Sequence, residues 1–161
     1  MDDVITVCKN TVGWDKDFFH EELKSKCYVA PLTLEPSKEG VFLETEYEIR
    51  EQRIVHRLKN ENVDAHQPEV WRYQHFNSYQ PYARKRATIT TALWKASFFA
   101  SDDEQLIHSA VLKLKEFIRA GYPYTVLKYC TNTVGSNRCS NASGRAHSTR
   151  LWRTILKRAY E

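Results

Sequence analysis

The sequence predicts an α+β fold, in which a small antiparallel sheet with one helix precedes a three-helix bundle and a basic C-terminal helix. Residues 41–50 alternate apolar and polar side chains, as half-buried strands do, and residues 53–59 return as a hairpin partner. Apolar side chains then recur at helical spacing over 85–100 and over 103–119. The segment 148–160 is amphipathic and strongly basic, which favours the C-terminal helix.

The first forty residues predict the rest of the sheet and its helix. Residues 4–8 and 29–35 are rich in strand-forming side chains. Asp15 is a candidate cap for a helix over residues 16–27, and residues 36–40 carry a strong turn signal.

Start and stop signals predict the helical boundaries in the second half. Residues 101–104, Ser-Asp-Asp-Glu, favour a helix start, because a capping side chain and early carboxylates offset the unpaired amide groups there. Gly121 is a typical residue just past a helix end. A third helix is predicted over residues 124–129, and residues 131–148 are expected to be flexible.

Composition limits the class and the location of the protein. The 161 residues fit one domain, or one compact unit with an appendage, and 42% hydrophobic residues suffice for a core. No apolar run approaches 18 residues, so we expect no membrane span, and the acidic start lacks the apolar core of a secretory signal. Four scattered cysteines predict free thiols in a reducing intracellular compartment, organelles included, and not a zinc site.

Charge is distributed unevenly along the chain. The net charge is only +4, but residues 1–48 hold 5 basic and 11 acidic side chains, whereas residues 49–161 hold 19 basic and 9 acidic ones. This asymmetry predicts that the C-terminal two thirds face a polyanion; a merely solvated surface is the alternative interpretation.

A segment that is both aromatic and basic joins the two halves. Aromatic rings offer flat faces for bases, and cationic side chains pair with phosphates, so we predict nucleic-acid binding here. A core of aromatics beside a solvated helix start would give the same spacing. The candidate contacts are Trp71, Tyr79, Tyr82, Arg84, Lys85, Arg86 and Lys95.

The basic C-terminal segment predicts a second contact surface. Its helix would present several cations beside an apolar side, which suits a protein partner or an RNA groove. The candidate docking residues are Arg150, Trp152, Arg153, Lys157 and Arg158.

Two adjacent carboxylates open the chain directly before a predicted strand. Carboxylate oxygens are the ligands that Mg²⁺ prefers, and phosphoryl transfer uses such ions. Asp2 and Asp3 are therefore candidate catalytic and metal-binding residues, with polar residues at an exposed terminus as the alternative.

The order of these parts resembles the second half of a reverse transcriptase, nearest to Penelope-like and related retroelement enzymes. Asp2-Asp3 resembles the Asp-Asp turn that ends the palm, and residues 36–44 resemble the strand of the primer grip. Residues 75–89, His-Phe-Asn-Ser-Tyr through Lys-Arg-Ala, together with Phe117-Ile118 and Gly121-Tyr122-Pro123, resemble the thumb. The resemblance implies a palm-like remnant at 1–59, a thumb-like unit at 60–130, and an added linker and helix at 131–161.

The departures from this family shape the functional expectation. No fingers region and no upstream catalytic Asp precede Asp2, so we expect no polymerase activity from this chain alone and no cofactor. The favoured hypothesis is a non-catalytic, reverse-transcriptase-derived protein that binds RNA or an RNA–DNA hybrid in a ribonucleoprotein assembly, with other subunits covering the truncated palm. One alternative is a fragment of a split RNA-directed DNA polymerase, where a partner would complete a Mg²⁺ site at Asp2 and Asp3. The other is a purely structural subunit.

Overall fold

The computed structural model describes residues 41–42, 44–51, 53–60, 72–136 and 147–161. Within them the fold is α+β, an antiparallel hairpin followed by four helices, which confirms the predicted fold class. The strands and helices predicted before residue 41 lie outside the described residues. The described elements are β1 Val41–Phe42, β2 Thr45–Arg50, β3 Arg53–Leu58, α1 Tyr82–Phe98, α2 Asp103–Arg119, α3 Tyr124–Ser136 and α4 Thr149–Tyr160.

The hairpin joins β2 and β3 in antiparallel register, from Thr45 opposite Leu58 to Arg50 opposite Arg53. The single strand predicted over 41–50 is interrupted, because β1 ends at Phe42 and β2 begins only at Thr45. Burial also falls along the hairpin towards its turn. Leu58 is buried against the helices, whereas Ile49 near the turn is 66% exposed, so only one end of the predicted apolar face is covered.

The hairpin is fastened to the turn between α1 and α2 through His56. The backbone oxygen of His56 accepts from the amide of Ser101 at 2.9 Å, and its own amide donates to the Ser101 hydroxyl at 3.2 Å. Its ring Nδ1 donates to the carbonyl of Phe99 at 2.9 Å. Judged by its internal contacts, Glu44–Glu161 forms one compact unit, which contains the described hairpin and the four described helices.

The core lies between all four helices. α1 packs against α2 and α3, and α4 packs against α2 and α3. Leu93, Leu114, Leu127 and Ile155 are fully buried, one from each helix. The apolar stripe predicted for α1 is correct for Ile89 and Leu93. It is wrong for Trp94 and Phe98, which are 42% and 46% exposed because α2 and α3 cover only one side of this helix.

The start and stop signals of α2 are confirmed. Asp102 caps α2 by accepting from the amide of Gln105 at 2.9 Å, with Asp103 and Glu104 in the first turn. Gly121 ends it with φ +79, a left-handed conformation that glycine adopts without steric cost. An added Cβ would stand 2.8 Å from Nε2 of His75, so both the backbone and the close approach require glycine.

The third helix is longer than the sequence indicated. The prediction that residues 131–148 are flexible is wrong for residues 131–136, since α3 continues through Ser136. Thr131 is buried and donates to the carbonyl of Leu127 at 2.7 Å, and Val134 is buried as well. These residues look polar and loop-like in sequence, but α4 packs against them and stabilises the extra helical turns.

Candidate nucleic-acid interface

Three of the four helices that the structure describes carry basic side chains and no carboxylate. α1 holds four Arg or Lys residues, α3 holds one and α4 holds four, and none of the three contains Asp or Glu. Among the described helices, the carboxylates lie on α2, at Asp103, Glu104 and Glu116. Because repulsion among the cations is not offset within these helices, their outer faces favour a negatively charged partner.

The three cations at the start of α1 have three different environments. Arg84 is exposed. Arg86 stacks on Tyr129 of α3, its guanidinium carbon 3.7 Å from the ring centroid, and lies 5.8 Å from the Tyr82 ring. Such stacking fixes the guanidinium plane while its N–H groups remain available for an anion.

The burial of Lys85 corrects the prediction that this residue contacts nucleic acid. Its side chain is 7% exposed, and its Nζ donates to the carbonyls of Phe76 and Ser78 at 2.5 and 2.6 Å. The Nζ also lies 5.2 Å from the centroid of the Phe76 ring. A buried lysine needs such partners, because an unpaired charge is costly to desolvate. Lys85 therefore holds the preceding loop in place and is not a surface contact for phosphate.

The loop over residues 72–81 presents Tyr79 from a fixed base. The amide of Phe76 donates to the carbonyl of Ala120 at 2.9 Å, and the Phe76 ring packs edge-on against Tyr122 at 5.3 Å. Tyr73 stacks on Phe117 at 4.0 Å, and burial raises the pKa of its hydroxyl to about 12. Between these anchors and α1, Tyr79 is fully exposed.

Tyrosines and cations continue across α3 to the end of α4. Nζ of Lys128 lies 5.9 Å from the centroid of Tyr124, and the Tyr124 ring meets Tyr160 edge-on at 5.2 Å. Burial raises the pKa of the Tyr160 hydroxyl above its ordinary value. We give one name, the tyrosine–cation track, to this group and the Arg86 group between α1 and α3: Tyr82, Arg86, Tyr129, Lys128, Tyr124 and Tyr160.

Lys95, another predicted contact, lies outside the track in the part of the chain that the structure describes. Lys95 is exposed and pairs with Glu44 at 2.7 Å, so its charge is partly neutralised beside the hairpin. Trp71 lies outside the described residues, as do Asp2 and Asp3. The metal and catalytic expectations for that acidic pair, including the Mg²⁺ of a split polymerase, stay predictions. Within the described ranges, no three His, Cys, Asp or Glu side chains are grouped so that they could hold a metal ion.

The C-terminal helix exposes its cations and buries its tryptophan. Ser148 caps α4 by accepting from the amide of Leu151 at 3.2 Å. The cations at 150, 153, 157 and 158 are all exposed. Trp152 is 1% exposed and packs against Gly135 of α3, so tight a contact that a Cβ there would lie 3.0 Å from the indole ring. The predicted docking role of Trp152 is therefore corrected to a core role.

One described cleft was not expected from the sequence. It encloses about 270 Å³ between the hairpin, α2 and α4, and is lined by Arg50, Arg57, Glu104, Gln105, Ile107, His108 and Arg158. Glu48 pairs with Arg50 and Glu46 pairs with Arg57, each at 2.8 Å, so much of the positive charge is offset. Burial and then Arg57 lower the pKa of His108, which favours its neutral form. The residues come from three separated segments, and no local pattern in the sequence could have indicated their meeting.

Comparison with known proteins adds no relative to this picture. The chain matches no protein-family model, no curated protein and no solved structure. Among the helices that the structure describes, none combines the length and the apolar character needed to cross a bilayer.

Proposed function

We propose that the helical unit of this protein binds nucleic acid, and that the chain is a non-catalytic, reverse-transcriptase-derived component of a ribonucleoprotein assembly. The observation that carries the binding proposal is the charge of α1, α3 and α4, which bear cations and no carboxylates. The reverse-transcriptase origin and the non-catalytic role rest on the sequence analysis alone.

The electrostatic argument follows from phosphate chemistry. Each cation that contacts a phosphate releases a condensed counterion, so binding weakens steeply as salt rises. Arg84 is exposed at the first turn of α1, and the stacked guanidinium of Arg86 is held beside it. Both contacts act on the backbone and carry no sequence information, so the protein should bind many sequences alike.

The binding proposal is tested by removing the two accessible cations of the α1 run. Arg84→Gln with Arg86→Gln should weaken binding to RNA by about tenfold and lower the slope of log affinity against log salt by about 1 to 2. Lys85 is left intact, since its loss would disturb the loop and confuse the result.

A matched control removes the same charge elsewhere. Arg50→Gln with Arg53→Gln changes two exposed hairpin arginines, of which Arg50 already pairs with Glu48. This control should leave the affinity within about twofold of the parent, given the small effects of exposed ion pairs. Equal losses in both variants, or an unchanged salt slope in the first, would overturn the assignment of the surface to α1.

The assembly proposal needs the protein in its native extract. We expect it to sediment as a large particle, and to move to lighter fractions after ribonuclease treatment. Sedimentation with protein subunits alone, unchanged by ribonuclease, would instead favour a structural subunit.

A further inference from the structure

We infer that the tyrosine–cation track binds single-stranded nucleic acid, with unpaired bases stacking on its tyrosine rings. This inference rests on the proposed function and narrows it to a substrate class. It excludes the duplex as the preferred ligand, and it places the contact on α1, α3 and the last turn of α4.

Rings and cations alternate within each of two groups of side chains, which are joined through the adjacent residues Lys128 and Tyr129 of α3. The guanidinium carbon of Arg86 lies 3.7 Å from the centroid of the Tyr129 ring and 5.8 Å from that of the Tyr82 ring. Lys128 follows next to Tyr129 in α3 and lies over Tyr124, which touches Tyr160. Proteins that hold single strands combine positive charge for the backbone with aromatic side chains for successive bases.

The tyrosines of the track are substantially exposed to solvent. Tyr82, Tyr129, Tyr124 and Tyr160 are 52, 51, 49 and 45% exposed, and Tyr79 precedes them, fully exposed on its anchored loop. About half of the surface of each of the four track tyrosines therefore remains accessible to solvent. Exposed aromatic surface of this extent is typical of a binding site.

Only a single strand offers free base faces to these tyrosine rings. In a duplex each base face is covered by its neighbours, so a protein reaches only phosphates, sugars and base edges. The half-exposed rings would have no partner on such a ligand. The track also contains only two cations, Arg86 and Lys128, beside four rings, so stacking and not phosphate contact dominates its chemistry.

The test compares one labelled RNA strand of about 12 nucleotides, alone and annealed to its complement, with the full chain in about 0.15 M KCl. Fluorescence anisotropy should show tighter binding of the single strand. Tyr82→Leu and Tyr129→Leu, made separately, should each weaken single-strand binding by about tenfold and leave duplex binding within about twofold. The salt slope should not change, since no cation is removed.

Two controls address the ring and the fold. Tyr129→Phe keeps the ring and should retain the affinity for single strands. If binding required the hydroxyl instead, Tyr129→Phe would lose that affinity. Trp94→Leu removes a 42% exposed aromatic ring from α1 outside the track and should leave binding unchanged. Far-ultraviolet circular dichroism should show intact helices in every variant, because the altered rings are half-exposed. Tyr82 and Tyr129 lie on different helices, so failure of one variant to fold leaves the other as the test.

The outcomes distinguish this inference from the function on which it rests. Equal affinity for duplex and single strand, with no effect of either leucine variant, would overturn the stacking inference. If the Arg84 and Arg86 double variant still weakened both ligands in that case, the proposed function would stand. No binding of either ligand by the parent chain would refute both.

Discussion

Replacing Lys85 should destabilise the protein far more than replacing Arg84, although the two cations are neighbours in sequence. In the structure Lys85 is 7% exposed and donates to the carbonyls of Phe76 and Ser78, whereas Arg84 is exposed. Lys85→Met keeps most of the aliphatic volume and removes the ammonium group that makes both hydrogen bonds. Arg84→Met is the matched control, with the same loss of charge on the same helical turn.

The magnitude follows from the two lost bonds. A hydrogen bond from a charged donor contributes about 1.5 to 3 kcal/mol, and water can reach part of the released carbonyls, so we expect a loss of about 2 to 4 kcal/mol. For a chain of this size each kcal/mol lowers the melting temperature by about 2 to 4 °C. Arg84→Met should change stability by less than about 0.5 kcal/mol.

Urea unfolding, followed by circular dichroism, measures this difference as a shift in midpoint at constant slope. The loop that carries Tyr79 should also loosen, so Lys85→Met should gain protease sensitivity near residues 76–80 before global unfolding. A midpoint for Lys85→Met equal to that of Arg84→Met would refute the assignment of Lys85 to loop anchoring.

Three further predictions concern the scaffold behind the surface. Gly121→Ala should lower the free energy of unfolding by about 1 to 2 kcal/mol because of the left-handed backbone alone. Adding His75→Ala should relieve the 2.8 Å approach of the new Cβ to the ring but not the backbone cost. A double-mutant cycle of unfolding free energies separates the two effects. Stability should fall between about pH 10 and pH 12, because the unfolded chain loses the Tyr73 proton near its usual pKa of about 10 while the folded chain keeps it until about 12. Tyr73→Phe should abolish that part of the decline in pH-dependent unfolding, and an unchanged profile would contradict the burial of the hydroxyl. Trp152→Ala should cost about 3 to 5 kcal/mol, as for a buried core tryptophan, whereas Arg153→Gln on the exposed face should leave thermal unfolding almost unchanged.

Helix boundaries set by local chemistry could be predicted from the sequence. Asp102 caps α2 because its side chain accepts an amide three residues later, and Gly121 ends it because only glycine enters the left-handed region freely. Both signals act within a few residues, so no knowledge of the fold is needed. The helical state of residues 131–136 could not be predicted in this way, because it depends on packing against α4, which lies further along the chain.

The candidate site shows the same division between local signal and distant packing. The sequence indicated that Tyr82 and Arg86 belong to an aromatic and basic surface, because those residue types cluster before and within α1. It could not indicate Tyr124, Lys128, Tyr129 and Tyr160 as their partners, since three helices must pack before these side chains meet. It also could not separate Lys85 from Arg84, since both are cations in one short run and only burial distinguishes them.

The sequence by itself determined the fold class, the caps of the central helix and the basic character of the second half, because periodicity, capping and net charge are properties of neighbouring residues. Only the tertiary structure decided which cations reach solvent and which rings meet. Those properties depend on burial between segments that lie far apart in the chain, as for Trp152 against Gly135 and Arg86 against Tyr129.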